Sequence, residues 1–100
     1  MRYRLSELAE QDLLDTWLYL AGEASVETAD RLVDAIVHTF VLLSEQPRMG
    51  RLRPEFGPGV RSCPVETHVI YYRAEAEVLI ARILHARRDQ AAAWSETGSD

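Results

Sequence analysis

The side chains best suited to acid–base or charge chemistry lie together in an apolar stretch near the end of the chain. Residues 78–89 read Val-Leu-Ile-Ala-Arg-Ile-Leu-His-Ala-Arg-Arg-Asp, so that Arg82 and His85 interrupt a strand-like run. Arg87 and Arg88 follow directly. An apolar strand seldom needs this much basic and titratable chemistry in order to fold, since a buried charge is costly unless it is paired. The segment is therefore the first candidate for a functional site.

Metal-free RNA cleavage is one reaction that such residues could serve. It needs a base for the 2′-hydroxyl, a cation for the phosphorane and an acid for the leaving oxygen. Arg61, Arg82 and Arg87 could supply the cation, but arginine is neither acid nor base because its pKa is above about 12. His85 alone would have to supply both proton transfers, since no Tyr, His or Lys follows Arg88. This gap weakens the nuclease interpretation.

The same residues also have structural interpretations, and both stay open. Arg82 lies among apolar neighbours and must find a carboxylate or carbonyl, for which Glu66 across the predicted sheet is a conceivable partner. A histidine at the end of a strand is more often a hydrogen-bonded structural residue than a catalyst. Arg87 and Arg88 should be exposed after the strand, either as solvated surface or as an edge that meets a target.

Two further side chains complete the candidate site. Arg61 is predicted near the start of a neighbouring strand, where it could join the same patch. Trp94, on a short terminal helix, is either a docking anchor or an exposed contact. The candidates for target contact are Arg61, Arg82, His85, Arg87, Arg88 and Trp94, and the nuclease alternative would use His85, Arg61 and Arg87. No metal site or cofactor is expected, because Cys63 is the single cysteine and no ligand cluster or phosphate loop appears.

Length and composition indicate one globular domain. The chain has 100 residues, 47% of them apolar, which suits residues 1–95 folding around one core with 96–100 as a flexible tail. No apolar run approaches the roughly 20 residues that span a bilayer. The N-terminus lacks the apolar core of a signal peptide, and a lone cysteine suits a reducing compartment. A cytoplasmic location is therefore expected.

Charge is distributed unevenly along the chain. The net charge is −5, but residues 1–46 carry three arginines against nine acids, a net of −6. Residues 47–89 carry eight arginines against five acids, a net of +3. The basic half could meet an anionic partner, whereas the overall acidity argues against strong direct binding of nucleic acid. There is no lysine, so no amine is available as a base or Schiff-base nucleophile.

Apolar periodicity predicts a helical hairpin in the first half. Ser6 is placed as the N-cap of a helix whose core-facing stripe includes Trp17 and which Gly22 is expected to end. Ser25 caps a second helix that ends before Pro47. Because the connection between the two helices is short, they should lie antiparallel.

A loop and an antiparallel meander are predicted in the second half. Residues 47–59 hold three of the four prolines and three of the five glycines, which is typical of a loop. Strands are predicted at 3–5, 60–65, 68–73 and 78–86, and a short helix, capped by Asp89, at 90–94. Tyr71 and Tyr72 should face opposite sides of the sheet, one in the core and one half-exposed. The order is β-α-α-β-β-β, an α+β class in which the hairpin covers one sheet face and leaves the other partly open.

This order and several local motifs resemble the ParE branch of the ParE/RelE toxin superfamily of bacterial type II toxin–antitoxin modules. The matching pieces are Tyr3-Arg4-Leu5-Ser6 with Ala9 and Asp12-Leu13, Trp17 with Tyr19, Pro47-Arg48-Met49-Gly50, Gly59-Val60-Arg61, His68-Val69-Ile70-Tyr71-Tyr72-Arg73 and Ile83-Leu84-His85-Ala86-Arg87-Arg88-Asp89. The resemblance covers about residues 2–93, and it is the order and spacing of the motifs that make it specific.

The resemblance implies a cytoplasmic toxin that a small ParD-like antitoxin neutralises. The ParE branch is associated with inhibition of DNA gyrase, whereas the RelE branch cleaves mRNA on the ribosome, and a shared fold does not decide between them. We expect inhibition of gyrase by binding, without catalysis, and keep the ribosome-dependent nuclease as the alternative. The antitoxin is expected to fold over apolar surface on the open sheet face and beside the hairpin.

Overall fold

A helical hairpin packs against a five-stranded sheet. The computed structural model describes residues 2–95. The strands are Tyr3–Leu5 (β1), Arg51–Leu52 (β2), Val60–Val65 (β3), His68–Ala74 (β4) and Val78–His85 (β5). The helices are Glu7–Glu23 (α1), Val26–Glu45 (α2) and Gln90–Ser95 (α3), with a 3-10 turn at Pro54–Phe56. The α+β arrangement is confirmed, and the predicted tail at 96–100 lies outside the described residues.

The sheet has the strand order β1-β5-β4-β3-β2. The meander of β3, β4 and β5 is antiparallel, as predicted. β1 is different, because it pairs in parallel with β5 after the chain has crossed over through the hairpin. The prediction that residues 47–59 form only a loop was wrong, since β2 lies within them and pairs with β3. Two residues are too few to show an alternating pattern, so periodicity could not reveal this strand.

Serine caps begin both long helices. Ser6 Oγ accepts a hydrogen bond from the Ala9 N–H at 3.0 Å, and Ser25 Oγ accepts one from the Thr28 N–H at 3.0 Å. Both predicted caps are confirmed. The prediction that Gly22 ends the first helix was wrong, because α1 continues through it to Glu23. Packing of the hairpin outweighs the modest helix-interior cost of one glycine.

The main core lies between the hairpin and the sheet. Its buried members include Ala9, Leu32, Ile36, Phe40 and Leu43 from the helices and Ile70, Tyr72, Ile80 and Ile83 from the strands. Trp17, predicted in the core stripe, is only half-buried and lies outside this cluster. Its Nε1 donates a hydrogen bond to Asp30 Oδ1 at 2.8 Å, which ties α1 to α2. The indole therefore lies at the boundary of the hairpin, where its polar atom finds a partner.

The opposite sheet face is covered more fully than the sequence suggested. α3 and the 3-10 turn pack over it and bury Val60, Tyr71, Leu84 and Ala93, with Phe56 and Trp94 at the border. Tyr71 and Tyr72 do belong to clusters on opposite faces, as predicted. The expectation that one would be half-exposed was wrong, because only 1% and 0% of their surfaces are accessible. Each hydroxyl nevertheless has a hydrogen-bond partner.

Candidate functional site

Arg82 is a buried residue held by a carboxylate on the first helix. Only 3% of its surface is exposed, and its Nε donates to Asp12 Oδ2 at 2.8 Å. Its Nη2 donates to Asp12 Oδ1 at 3.0 Å, which completes a two-point contact. Glu66, suggested as the partner, instead binds Arg31 of α2 at 3.0 Å. That suggestion was wrong because the buried acid comes from a helix and not from the neighbouring turn.

The same ion pair joins three elements of the fold. Asp12 Oδ2 also accepts the backbone N–H of Ile83 at 2.9 Å, on the edge of β5 beyond the point where β1 ends. Arg82 Nη1 donates to the Ala93 carbonyl oxygen of α3 at 3.0 Å. The pair therefore connects α1, β5 and α3 and satisfies an edge amide that has no strand partner. These contacts give Arg82 a structural role.

His85 ends β5 beside a second histidine. It lies directly opposite His68 in the antiparallel β4–β5 pair, and the two ring centroids are 5.1 Å apart at an interplanar angle of 69°. The His85 ring is exposed, and its Nδ1 accepts the backbone N–H of Arg87 at 3.0 Å. The neutral ring therefore carries its proton on Nε2.

His68 is the functional candidate that the sequence did not identify. It is 7% exposed, and its Nδ1 and Nε2 lie 2.9 Å from Thr67 Oγ1 and 3.5 Å from Thr16 Oγ1, respectively. Burial lowers the pKa of His68 below its usual value, and the neighbouring His85 lowers it further, while the carboxylate of Asp12 acts in the opposite direction. Aligning the predicted strands 68–73 and 78–86 as a simple hairpin places His68 opposite Ile83, so the pairing with His85 depends on the register of the structure, which includes a shift between Tyr71 and Tyr72.

An open pocket of about 510 Å³ lies beside the histidine pair, between α1 and the end of the sheet. It is lined by Asp12, Asp15, Thr16, Tyr19 and Leu20 of α1, by Thr67, His68, Ile83 and His85 of the sheet, and by Arg88. Tyr19 is 63% exposed. Apolar walls with a few convergent polar groups are typical of a binding site.

The amide side chain of Gln90 adds further hydrogen bonds to the turn after β5. Gln90 Nε2 donates to the carbonyl oxygens of His85 at 2.9 Å and Arg88 at 2.7 Å. Gln90 Oε1 accepts the Tyr71 hydroxyl at 2.7 Å. Arg87 and Arg88 are exposed on this turn, as expected. The basic turn is thus held in a defined position on the surface.

Arg61 lies at the other end of the sheet. Arg61 of β3 pairs with Tyr72 of β4, and Tyr72 lies opposite Ile80 of β5. Ile80 and His85 are five positions apart, so Arg61 is displaced from His85 by about 17 Å along the strand direction. Its Nη1 donates to the Gly50 carbonyl oxygen at 2.8 Å. The structure therefore does not bring Arg61 into the patch formed by the end of β5.

Trp94 packs onto an aromatic cluster on the α3 side of the sheet. Its ring centroid lies 5.6 Å from that of Phe56 and 5.7 Å from that of Tyr71. The guanidinium of Arg53 lies over Phe56 at 5.0 Å. Trp94 is half-buried, so it anchors α3 and leaves part of the indole accessible.

Residues 2–95 contain neither a cluster of metal ligands nor a membrane-spanning helix. No three His, Cys, Asp or Glu side chains in this range converge as metal ligands. Neither long helix within the same residues combines the length and apolarity that crossing a bilayer requires.

An apolar ridge lies on the outer side of α1. Leu14 and Leu18 are 52% and 54% exposed, and their spacing of four places them on one side of the helix. At 3.6 residues per turn they point roughly 140–180° away from the buried Ala9. We call these two residues the leucine ridge. Exposed neighbouring leucines on a small protein favour contact with a partner.

The fold is that of a toxin from a type II toxin–antitoxin system. The family described as "ParE toxin of type II toxin-antitoxin system, parDE" matches residues 3–90. This chain therefore belongs to the ParE toxin family, and the resemblance seen in the sequence is confirmed.

Individual relatives agree with this membership. The chain is 36% identical over 83 residues to Toxin ParE1 of Caulobacter vibrioides, covering 83% of this chain and 86% of the relative. It is 30% identical over 90 residues to Toxin ParE1 of Mycobacterium tuberculosis, covering 88% and 92%. Among solved structures, it is similar to a chain of the chromosomal ParDE toxin–antitoxin system from P. aeruginosa, with a TM-score of 0.73 and 25% identity over 85% of this chain and 95% of that one.

Proposed function

We propose that this member of the ParE family is a cytoplasmic toxin that inhibits DNA gyrase by binding and that a ParD-like antitoxin neutralises it. Family membership over residues 3–90 is the observation that carries the proposal. The relative from P. aeruginosa was solved as part of a ParDE system, which supports an antitoxin as the partner.

The geometry of the candidate site favours binding over catalysis. Arg82 is committed to Asp12, so its charge is already compensated and is turned away from solvent. Arg61 is about 17 Å along the sheet from His85, although the nuclease alternative requires these two residues, with Arg87, in one site. Catalysis of RNA cleavage needs its acid, base and cation around one phosphate. The exposed turn that carries Arg87 and Arg88 can meet an anionic surface of a target without taking part in catalysis.

The leucine ridge supports the antitoxin part of the proposal. Leu14 and Leu18 offer exposed apolar surface on a helix that also carries Glu10 and Asp15. A disordered segment that folds on binding could lay its own apolar side chains there and place basic ones beside the acids. Burial of each leucine would contribute about 1.5–3 kcal/mol to the association.

Replacement of both ridge leucines by glutamate is expected to weaken binding of the antitoxin by at least about 100-fold, since two buried side chains lose their apolar contact. Isothermal titration with the product of the adjacent antitoxin gene measures this change. Leu52→Glu is the matched control, because Leu52 is 53% exposed but lies on the β2 edge. Undiminished affinity of the Leu14→Glu/Leu18→Glu variant would rule out the ridge as the docking surface.

Induced expression in a bacterial host is expected to produce gyrase–DNA cleavage complexes while transcripts stay intact. Supercoiling of a reporter plasmid and transcript integrity are followed in parallel. Arg87→Ala should reduce the effect because it removes an exposed charge from the basic turn, whereas Arg51→Ala, exposed on β2, should leave it unchanged. Cleaved transcripts with unaltered supercoiling would favour the nuclease alternative and contradict the proposal.

A further inference from the structure

The paired histidines occupy a position where a change of protonation would have structural consequences. His68 and His85 face each other on neighbouring strands with centroids 5.1 Å apart, at the edge of the pocket described above. Two imidazolium ions at this distance repel each other, and the buried position of His68 limits screening by water. The observed arrangement of the two rings is therefore stable when both are neutral and is destabilised when both are charged.

The hydrogen bond at His85 depends on the neutral ring. Its Nδ1 accepts the backbone N–H of Arg87, and a protonated imidazole is a donor at both nitrogens. Protonation would place two N–H groups against each other, so this bond would be lost. The bond lies in the turn that presents Arg87 and Arg88, which links the state of the ring to the position of the basic turn.

The surrounding charges do not remove this sensitivity. The charged or titratable groups from other elements that line the pocket are Asp12, Asp15 and Tyr19 of α1 and Arg88 of the turn. Asp12 would favour a charged His68, but its carboxylate is bound to Arg82 at 2.8 Å and to a backbone amide at 2.9 Å. Asp15 accepts a hydrogen bond from Gln11. Glu66, next to the strand end, is paired with Arg31.

We propose that His68, His85 and the Arg87 amide form a proton-sensitive latch, which holds the basic turn against the pocket when both rings are neutral and releases it when both are charged. We call this set the histidine latch. It is a property of the folded chain alone, so it does not depend on the target or the antitoxin of the proposed function.

The direction of the pH effect follows from the environment of His68. Because the pKa of His68 is lowered in the folded chain, the unfolded or opened chain binds more protons between that lowered value and the ordinary value of about 6.5. Stability of the closed latch is therefore fully present above about pH 6.5 and declines as the pH falls below it. Acidification opens the latch.

Amide hydrogen exchange on the full chain at pH 7.5 and pH 5.5, corrected for the intrinsic pH dependence of exchange, tests this inference. Protection of residues 85–88 is expected to fall at the lower pH, because the chain with the latch open binds more protons there. Protection in the centre of α2 should change less. The imidazole resonances of the three histidines, followed by NMR, report which rings titrate over the same range.

Single substitutions distinguish opening of the latch from a loss of stability in acid that affects the whole fold. His85→Gln should fold, since His85 is exposed, and the pH dependence of protection at 85–88 should become weaker, because the repulsion between two charged rings is lost while the burial of His68 remains. His38→Gln is the matched control, because His38 is exposed on α2, and it should behave as the wild type. The latch is refuted if His85→Gln keeps the full pH dependence, if protection at 85–88 is unchanged between the two pH values, or if protection falls equally in all elements.

Discussion

Replacing Asp12 with alanine is expected to lower the free energy of unfolding by about 3–5 kcal/mol. The substitution removes both hydrogen bonds from the Arg82 guanidinium to the Asp12 carboxylate, although the Arg82 side chain is only 4% exposed. It also removes the acceptor of the Ile83 amide on the edge of β5. Since small domains are stable by only about 5–15 kcal/mol, this loss is a large share of the total.

Urea denaturation followed by circular dichroism measures the effect. Glu66→Ala is the matched control, because it breaks an ion pair of similar length whose side chains are 64% and 43% exposed, and it should cost about 0–1 kcal/mol. Adding Arg82→Met to Asp12→Ala should recover part of the stability by removing the buried charge that has lost the Asp12 carboxylate. Equal losses for Asp12→Ala and Glu66→Ala would contradict the assignment of the buried pair.

Gly50→Ala is expected to lower the free energy of unfolding by about 3 kcal/mol through overpacking and lost hydrogen bonds. A Cβ at this position would lie 2.5 Å from Tyr72 Oη and 2.8 Å from the backbone oxygen of Ser62. The Tyr72 hydroxyl accepts the Gly50 N–H at 2.9 Å and donates to the Pro47 carbonyl oxygen at 2.8 Å. Moving the ring would break both bonds, and the strand carbonyl has little freedom to retreat.

Differential scanning calorimetry compares this variant with Gly22→Ala. No atom lies within 4 Å of a Cβ built at Gly22, which is exposed within α1. Alanine there should raise stability by about 0.5–1 kcal/mol, because it favours the helix without a clash. Opposite signs for the two substitutions are therefore predicted, and a harmless Gly50→Ala would show that the loop after α2 can shift freely.

Much of the fold follows from local patterns in the sequence. The Ser6 and Ser25 caps and the bounds of β3 depend on neighbouring residues or on simple alternation, and all three predictions were confirmed. The family assignment rests on the same order of motifs. β2 was not predicted because it consists of only two residues. The predicted end of α1 at Gly22 was wrong because tertiary packing stabilises the helix through this glycine.

The candidate site was predictable only in part. Arg82 and His85 were selected by their unusual residue types within an apolar run, and the exposure of Arg87 and Arg88 followed from their position after it. Their roles were not predictable, because each depends on a partner distant along the chain. His68 had no outstanding local pattern, and its importance comes from the strand it faces.

The sequence by itself determined the class of protein, the order of its elements apart from β2 and the segment in which its basic and titratable residues gather. These properties depend on apolar periodicity, on helix caps and on the order of motifs, all of which can be read along the chain without knowing which distant residues meet. Only the tertiary structure decided that Arg82 binds Asp12, that His85 meets His68 and that Arg61 lies apart from both. Asp12 and Arg82 are 70 positions apart, and only folding brings the acid to the buried cation. The energetic need for a buried charge to be paired was visible in the sequence, whereas the identity of its partner was not.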